Sequence, residues 1–241
     1  KKRTRKFIDG MIFWMIMYPL GIPLGLFFQG MRITGRVPIK HFERFPAWEG
    51  RLIIASNHES LWEPWLLPFL LFRQFLFRPQ QFIPWITPDF QNYAQQRHYF
   101  WMRPRFIGVP RGQRRGEFLA LTEMVKVLRG RKIIILFPEG GRTYKGKTFL
   151  YSKSGKRIRE LKHGIGDLVI KSGATVVPVW VEGSARILPN TGSWLRRTIP
   201  RIWFPATIKI GHPMRWEDHC AQGRREITES IAHALLELAD E

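Results

Sequence analysis

The sequence predicts an α/β fold, a mostly parallel sheet flanked by helices, led by an apolar helical hairpin that docks on a membrane. Two observations carry the globular part. After Gly35, apolar runs of strand length alternate with longer stretches of helical periodicity. Such alternation builds a parallel sheet with helices on both faces. The third observation, an uncharged run from Met11 to Phe28 behind a basic leader, carries the membrane part. A chain of 241 residues has room for one such domain, and 44 % hydrophobic with 24 % charged residues exclude a disordered or fibrous chain. The boundary falls at residue 34, giving a membrane-associating segment 1–34 and an α/β domain 35–241.

The leader is basic at Lys1, Lys2, Arg3, Arg5 and Lys6, and the uncharged run behind it is 18 residues long, the threshold for a membrane span. Pro19, Gly21, Pro23 and Gly25 interrupt it. Proline removes a backbone donor and kinks a helix, so two short helices dipping into one leaflet are expected rather than a straight span. Trp14, Tyr18, Phe27 and Phe28 are the side chains set against lipid, and the basic leader rests on the headgroups of the cytoplasmic face. A buried core hairpin is the competing reading of so short an apolar run. A cleaved signal peptide is disfavoured, because residues 27–30 offer no small-x-small site.

In the globular part, strands are expected at 51–56, 81–87, 106–109, 132–137, 174–181 and 206–210, and helices at 64–73, 113–129, 157–172 and 216–239. The aromatic and basic stretch 69–78 has the composition of a lipid-touching surface or of a helix packing its Phe side chains inward.

Charge narrows the partners. There are 39 Lys+Arg against 19 Asp+Glu, a net +20, which calls for a polyanionic surface. Ten Trp and a 14 % aromatic share favour a membrane over nucleic acid. The single cysteine, Cys220, excludes a disulfide scaffold and a Cys-based zinc site.

Chemistry is expected in the segment NHESLWE at 57–63, directly after the first globular strand, because active residues collect at the carboxyl ends of strands in α/β sheets. His58 can exchange a proton near neutral pH, and Glu63 can hold its other ring nitrogen. Inside one helix, positions five apart do not meet. Pro64 resolves this, since proline prefers the first helical turn and leaves His58 in the loop. Ser60 and Glu63 also spell a capping box, in which Glu63 would satisfy backbone donors only.

A second segment, FPEGGRT at 137–143, follows another strand. Its Gly pair lets backbone approach a ligand, and Arg142 is suited to clamp a phosphate, or else to lie solvated on a tight turn. Overlapping it, GRTYKGKT at 141–148 has the form of a nucleotide-binding P-loop, which would depend on Lys147. The residues after it, with Gly155 in the second turn, make a poor helix, so the required context is missing. FIGVPR at 106–111 adds Arg111 for an anionic substrate, and VPVWVEG at 177–183 reads as a buried strand. The remaining histidines, His41, His98, His163, His212, His219 and His233, show no partner spacing.

Taken together, the four segments resemble the glycerolipid acyltransferase family of lysophosphatidic acid acyltransferases. Its pattern is NHxxxxD, a segment ending in Arg, FPEGxR[ST], and a VPV-containing strand. The matches stand in that order across residues 51–183, and Glu63 replaces the usual Asp. The resemblance implies that His58, oriented by Glu63, deprotonates a lysophospholipid hydroxyl, which attacks the thioester of acyl-CoA or an acyl carrier protein directly. It implies that Arg111 and Arg142 hold the acceptor phosphate in a pocket shaped by Glu139 and Gly140. It calls for no metal or tightly bound cofactor, and its partners are the bilayer, the lysophospholipid and the acyl donor, not nucleic acid. A nucleotide hydrolase, an acyltransferase with another lipid or glycolipid acceptor, and a non-catalytic basic binder are the alternatives.

Overall fold

The computed structural model describes residues 2–46, 50–91, 97–216 and 223–241. The central sheet has six strands: β1 (Ile39–Lys40), β2 (Leu52–Ser56), β3 (Trp85–Ile86), β4 (Ile133–Leu136), β7 (Thr175–Glu182) and β8 (Thr207–Ile210). Their order is β1-β8-β7-β2-β4-β3. Every neighbouring pair is parallel except β7 with β8. The short edge is extended by single bridges from Ile86 to Phe106 and from Asp89 to Val109, where a separate strand was expected. β5 (Phe149–Tyr151) and β6 (Arg157–Arg159) form an antiparallel hairpin apart from the main sheet.

Period-two alternation divides the core. From β2, Ile53 and Ala55 face one layer, with Ile134, Val176 and Trp180. That layer is covered by α6 (Arg114–Arg129), α7 (Gly164–Ser172) and α10 (Arg224–Asp240). Leu52 and Ile54 face the other, with Ile133, Val177 and Ile208. Its cover comes from Phe28 and Met31 of the amino-terminal helix and from Leu66, Leu67, Leu70 and Leu71. Helices therefore lie on both faces of the sheet.

The hairpin expected at the amino terminus is corrected to one unbroken helical run. It comprises α1 (Lys2–Ile12), a π-helical turn Phe13–Met17, and α2 (Tyr18–Ile33), with right-handed helical dihedrals at both junctions. The π turn explains how the helix survives its prolines. Tyr18 N–H reaches back five residues to Phe13, and this wider ring leaves room for Pro19, which has no N–H to give. At about 1.5 Å per residue, the 31 residues from Arg3 to Ile33 extend about 46 Å, and this one helix is long and apolar enough to cross a membrane.

One face of α2 is docked. Gly21 and Gly25 lie one turn apart, and a Cβ on them would stand 2.7 Å from Phe75 and 2.0 Å from Phe72, two rings of α4 (Phe72–Phe77). Tyr18 continues this face, donating its hydroxyl to the Leu76 carbonyl at 3.1 Å, and Phe28 completes it at 1 % exposure. Phe28 is therefore a core residue rather than a lipid contact, and Tyr18 is half-buried. The spacing 18, 21, 25, 28 explains both, because it repeats every helical turn. Trp14 and Phe27 lie off this face and are 48 % and 44 % exposed, beside the still more open Phe7, Met15 and Ile33.

Other expectations change in detail. Residues 64–73 form α3 (Glu63–Leu66), a 3-10 stretch Leu67–Leu71 and part of α4. Phe72 and Phe75 are buried and Phe77 exposed, so the 69–78 stretch packs mainly inward. Residues 79–82 form α5 (Pro79–Phe82) where a strand was expected. The helix expected at 157–172 begins only at Gly164, its first residues being β6. The last helix begins at Arg224; its expected start at Trp216 is not helical, and His219 and Cys220 lie outside the described residues.

Candidate active site

Parallel pairing brings the carboxyl ends of β2, β4 and β7 side by side, and the loops leaving them carry the site. Asn57 joins two of these ends. Its side-chain amide donates to the Val181 carbonyl at 2.8 Å and its oxygen accepts the Val181 N–H at 2.7 Å. This fixes the start of the loop that carries His58.

His58 Nδ1 lies 3.1 Å from Glu63 Oε2. Pro64 sits in the first turn of α3, so Glu63 opens the helix and His58 precedes it in the loop. No capping box forms, because Trp62 is the N-cap of α3 and the Ser60 hydroxyl accepts the Trp62 N–H, yet Glu63 does satisfy a backbone donor through its other oxygen: Oε1 accepts the Ser60 N–H at 2.8 Å. That oxygen also accepts from the Ser184 hydroxyl. Glu63 is fully buried, and the His58 side chain keeps 12 % exposure. With Nδ1 against a carboxylate, Nδ1 carries the ring proton and Nε2 presents a lone pair. Nε2 has no hydrogen-bond partner among the described residues. The ring stacks on Phe137 at 4.2 Å between centroids.

Glu139 departs from expectation. It is fully buried, and its oxygens accept from backbone and hydroxyl donors rather than framing a phosphate. Oε1 takes the His58 N–H at 2.7 Å and the Thr143 hydroxyl at 2.8 Å, and Oε2 takes the Arg159 N–H at 2.9 Å. These hydrogen bonds tie the segments after β2 and β4 to the end of β6. Burial pushes its carboxyl above the ordinary range, opposed by these hydrogen bonds. Thr143 ties the same loops by giving its N–H to the His58 carbonyl at 2.8 Å.

Gly140 occupies the left-handed region at φ 67° and closes the turn by donating to Phe137, a conformation glycine adopts without strain. A Cβ on Gly141 would stand 2.7 Å from Arg159 Nη1 and 3.4 Å from Arg111 Nη1. Two guanidiniums therefore converge on the glycine pair. Arg111 is also ion-paired to Asp89 at 3.4 Å. Arg142 donates to Asn190 Oδ1 at 3.0 Å and lies over the Tyr144 ring, and Asn190 in turn donates to the Glu59 carbonyl at 2.7 Å. Arg159, Ser184 and Asn190 escape sequence reasoning, because each reaches the site from an element distant in the chain. The hydroxyl residue right after the glycine that ends the VPV strand was the one available signal for Ser184.

Directly beyond Glu63, Pro64 and Trp65 line an apolar groove. Leu20 and Leu24 of α2 form one wall and Phe82 and Ile86 another. Arg105 is the charged residue of its lining, held over the rings of Phe13 at 4.3 Å and Trp85 at 5.2 Å. Burial lowers its guanidinium to about 10, still a cation at neutral pH.

The segment 141–148 does not make a nucleotide site. β5 follows it where a P-loop requires a helix N-terminus to receive phosphate.

The family model described as Acyltransferase matches residues 31–182, from the end of α2 to the end of β7. The chain belongs to the acyltransferase family. A similar fold is found in the 1-acyl-sn-glycerophosphate (LPA) acyltransferase PlsC of Thermotoga maritima, with a TM-score of 0.57 at 17 % identity, over 100 % of this chain and 99 % of that one. The family match spans His58, Glu63, Glu139 and Arg142 and ends just before Ser184.

Proposed function

We propose that this acyltransferase moves a fatty acyl group from a thioester donor, acyl-CoA or an acyl carrier protein, to the free hydroxyl of a lysophospholipid at a membrane surface. The acceptor class that fits best is 1-acyl-glycerol-3-phosphate, giving phosphatidic acid. The observation that carries the reading is the His58–Glu63 contact, which leaves Nε2 without a hydrogen-bond partner among the described residues.

His58 Nε2 takes the proton of the acceptor hydroxyl while Nδ1–H stays on Glu63. The oxygen attacks the thioester carbonyl carbon, and the tetrahedral intermediate collapses by breaking the C–S bond. The departing thiolate takes the proton back from His58. No acyl-enzyme forms. Arg111, Arg142 and Arg159 hold the acceptor phosphate, positioning its hydroxyl for attack. The groove beyond Glu63 takes an apolar chain, and α1–α2 places the site at the lipid surface. Support for a lysophosphatidic acid acceptor comes from the LPA acyltransferase that shares the fold.

Labelled acyl-CoA and acyl carrier protein, each supplied with lysophosphatidic acid or a lysophosphodiester, test this reading. Intact-protein mass is recorded after donor alone. Acylated phosphomonoester with no mass gain on the protein is expected. A stoichiometric acyl adduct contradicts direct transfer, and failure to acylate every lysophospholipid overturns the assignment.

A further inference from the structure

The loop after β2 holds one more acid than the dyad uses. Glu59 Oε2 lies 2.8 Å from the Ser184 hydroxyl oxygen and accepts the Ala185 N–H at 3.2 Å. The same hydroxyl contacts Glu63 Oε1, and Ser184 is fully buried. A serine hydroxyl has one proton to give. Between two carboxylates it satisfies one and turns a lone pair on the other. Between a carboxylate and a carboxylic acid it donates to the first and accepts from the second, and both contacts are hydrogen bonds.

We infer that Ser184 is a positioning residue for the catalytic base: anchored by a protonated Glu59, its hydroxyl donates to Glu63 Oε1 and holds the Glu63 carboxylate in the rotation that presents Oε2 to His58. The assignment of the two acids follows from their partners. Glu63 faces donors on both oxygens, Ser60 N–H and the imidazole. Burial, the largest influence on Glu59, raises its carboxyl and is reinforced by the nearby Glu63 charge, against hydrogen bonds from the Ser184 hydroxyl and the Ala185 and Ser184 N–H groups. The other charged groups around the bridge are His58, Glu139 behind the His58 N–H, and Arg142, which reaches Glu59 through Asn190. The Asn190 link joins the acceptor-phosphate clamp to the base, so acceptor binding and base geometry share one network.

The inference rests on His58 acting as the base, and its test separates the two. Acyl-transfer rates for Ser184→Ala and Ser184→Thr are measured from about pH 5 to 10, with circular dichroism and melting to verify the fold. Ser184→Ala is expected to lose kcat by about tenfold with acceptor KM within about twofold, since one orienting hydrogen bond is removed and no substrate contact. Without this donor Glu63 Oε2 is presented less squarely to the imidazole, so the acidic limb moves to lower pH. Ser184→Thr restores the rate and the limb. In the wild type, ionisation of Glu59 as pH rises contests the hydroxyl and lowers kcat, whereas Glu59→Gln, which cannot ionise, lacks that decline. A folded Ser184→Ala with wild-type kcat and an unmoved acidic limb overturns the inference, as does a folded Ser184→Thr as slow as Ala. A Glu59→Gln profile parallel to wild type also overturns it and decides the matter if Ser184→Ala does not fold. In each case a dead His58→Ala leaves the parent reading standing.

Discussion

His58 is gripped by its backbone as much as by its ring. Glu139 accepts its N–H, Thr143 donates to its carbonyl, and Phe137 covers one face. Glu139→Ala leaves the His58 and Arg159 N–H groups without that acceptor, while the Thr143 hydroxyl keeps the His58 carbonyl. At about 1–3 kcal/mol for each orphan, it should cost at least about 2 kcal/mol, read from a denaturant midpoint. Glu59 supplies a prediction in pH. Because burial raises its folded value above the ordinary 4.5, its contribution is fully present below that value and fades as pH rises through the folded one. Glu59→Gln should therefore gain stability relative to wild type as pH climbs from about 4.5 towards neutrality, and a melting series across that range measures it. His58 and Glu63 were legible in the sequence because loop, proline and spacing act locally. The hydrogen bonds of Glu139 were not legible: sequence shows a carboxylate beside a glycine turn, but not that its oxygens face Thr143 of the same loop and the His58 and Arg159 N–H groups from other segments.

Strands with four or more apolar residues were legible as elements, since β2, β4 and β7 each fill both faces of one sheet, and β8 was legible by the alternation that sends Ile208 and Ile210 to one face. The β5–β6 hairpin was not, because three-residue strands in a basic stretch carry too short an alternation to outweigh helical spacing. The amino-terminal helix failed differently. Its prolines announced a break, and a π turn absorbed it. The docking of α2 is testable with a pair of glycines. Gly25→Ala drives a Cβ to 2.0 Å from the buried Phe72 ring, so the helix must shift, at a cost of about 1–3 kcal/mol. Gly30 meets nothing within 4 Å, and Gly30→Ala should instead stabilise the helix by about 1 kcal/mol. Thermal melts of both variants in the same detergent should move in opposite directions.

At the scale of the whole molecule, a net charge of +20 and an open apolar helix face point the same way. Charge attraction to anionic lipid is screened within about 3 Å at 1 M salt, whereas apolar insertion is not. Co-flotation with anionic phospholipid vesicles should therefore persist in about 1 M salt and be weakened by Phe7→Asp with Met15→Asp, both sites being 69 % exposed. The sheet gathers three strand ends, whose loops carry His58, Glu63 and Glu139, and Leu20 and Leu24 of α2 line the groove that Pro64 and Trp65 open. The most direct test of the account is the rate of acyl transfer to lysophosphatidic acid by wild type, His58→Ala and Lys147→Ala, with ATP hydrolysis followed in parallel. The account predicts a loss of at least about 10²-fold for His58→Ala, the scale of general-base help, and near-wild-type transfer for Lys147→Ala. Transfer that survives His58→Ala, or ATP hydrolysis that depends on Lys147, would contradict it.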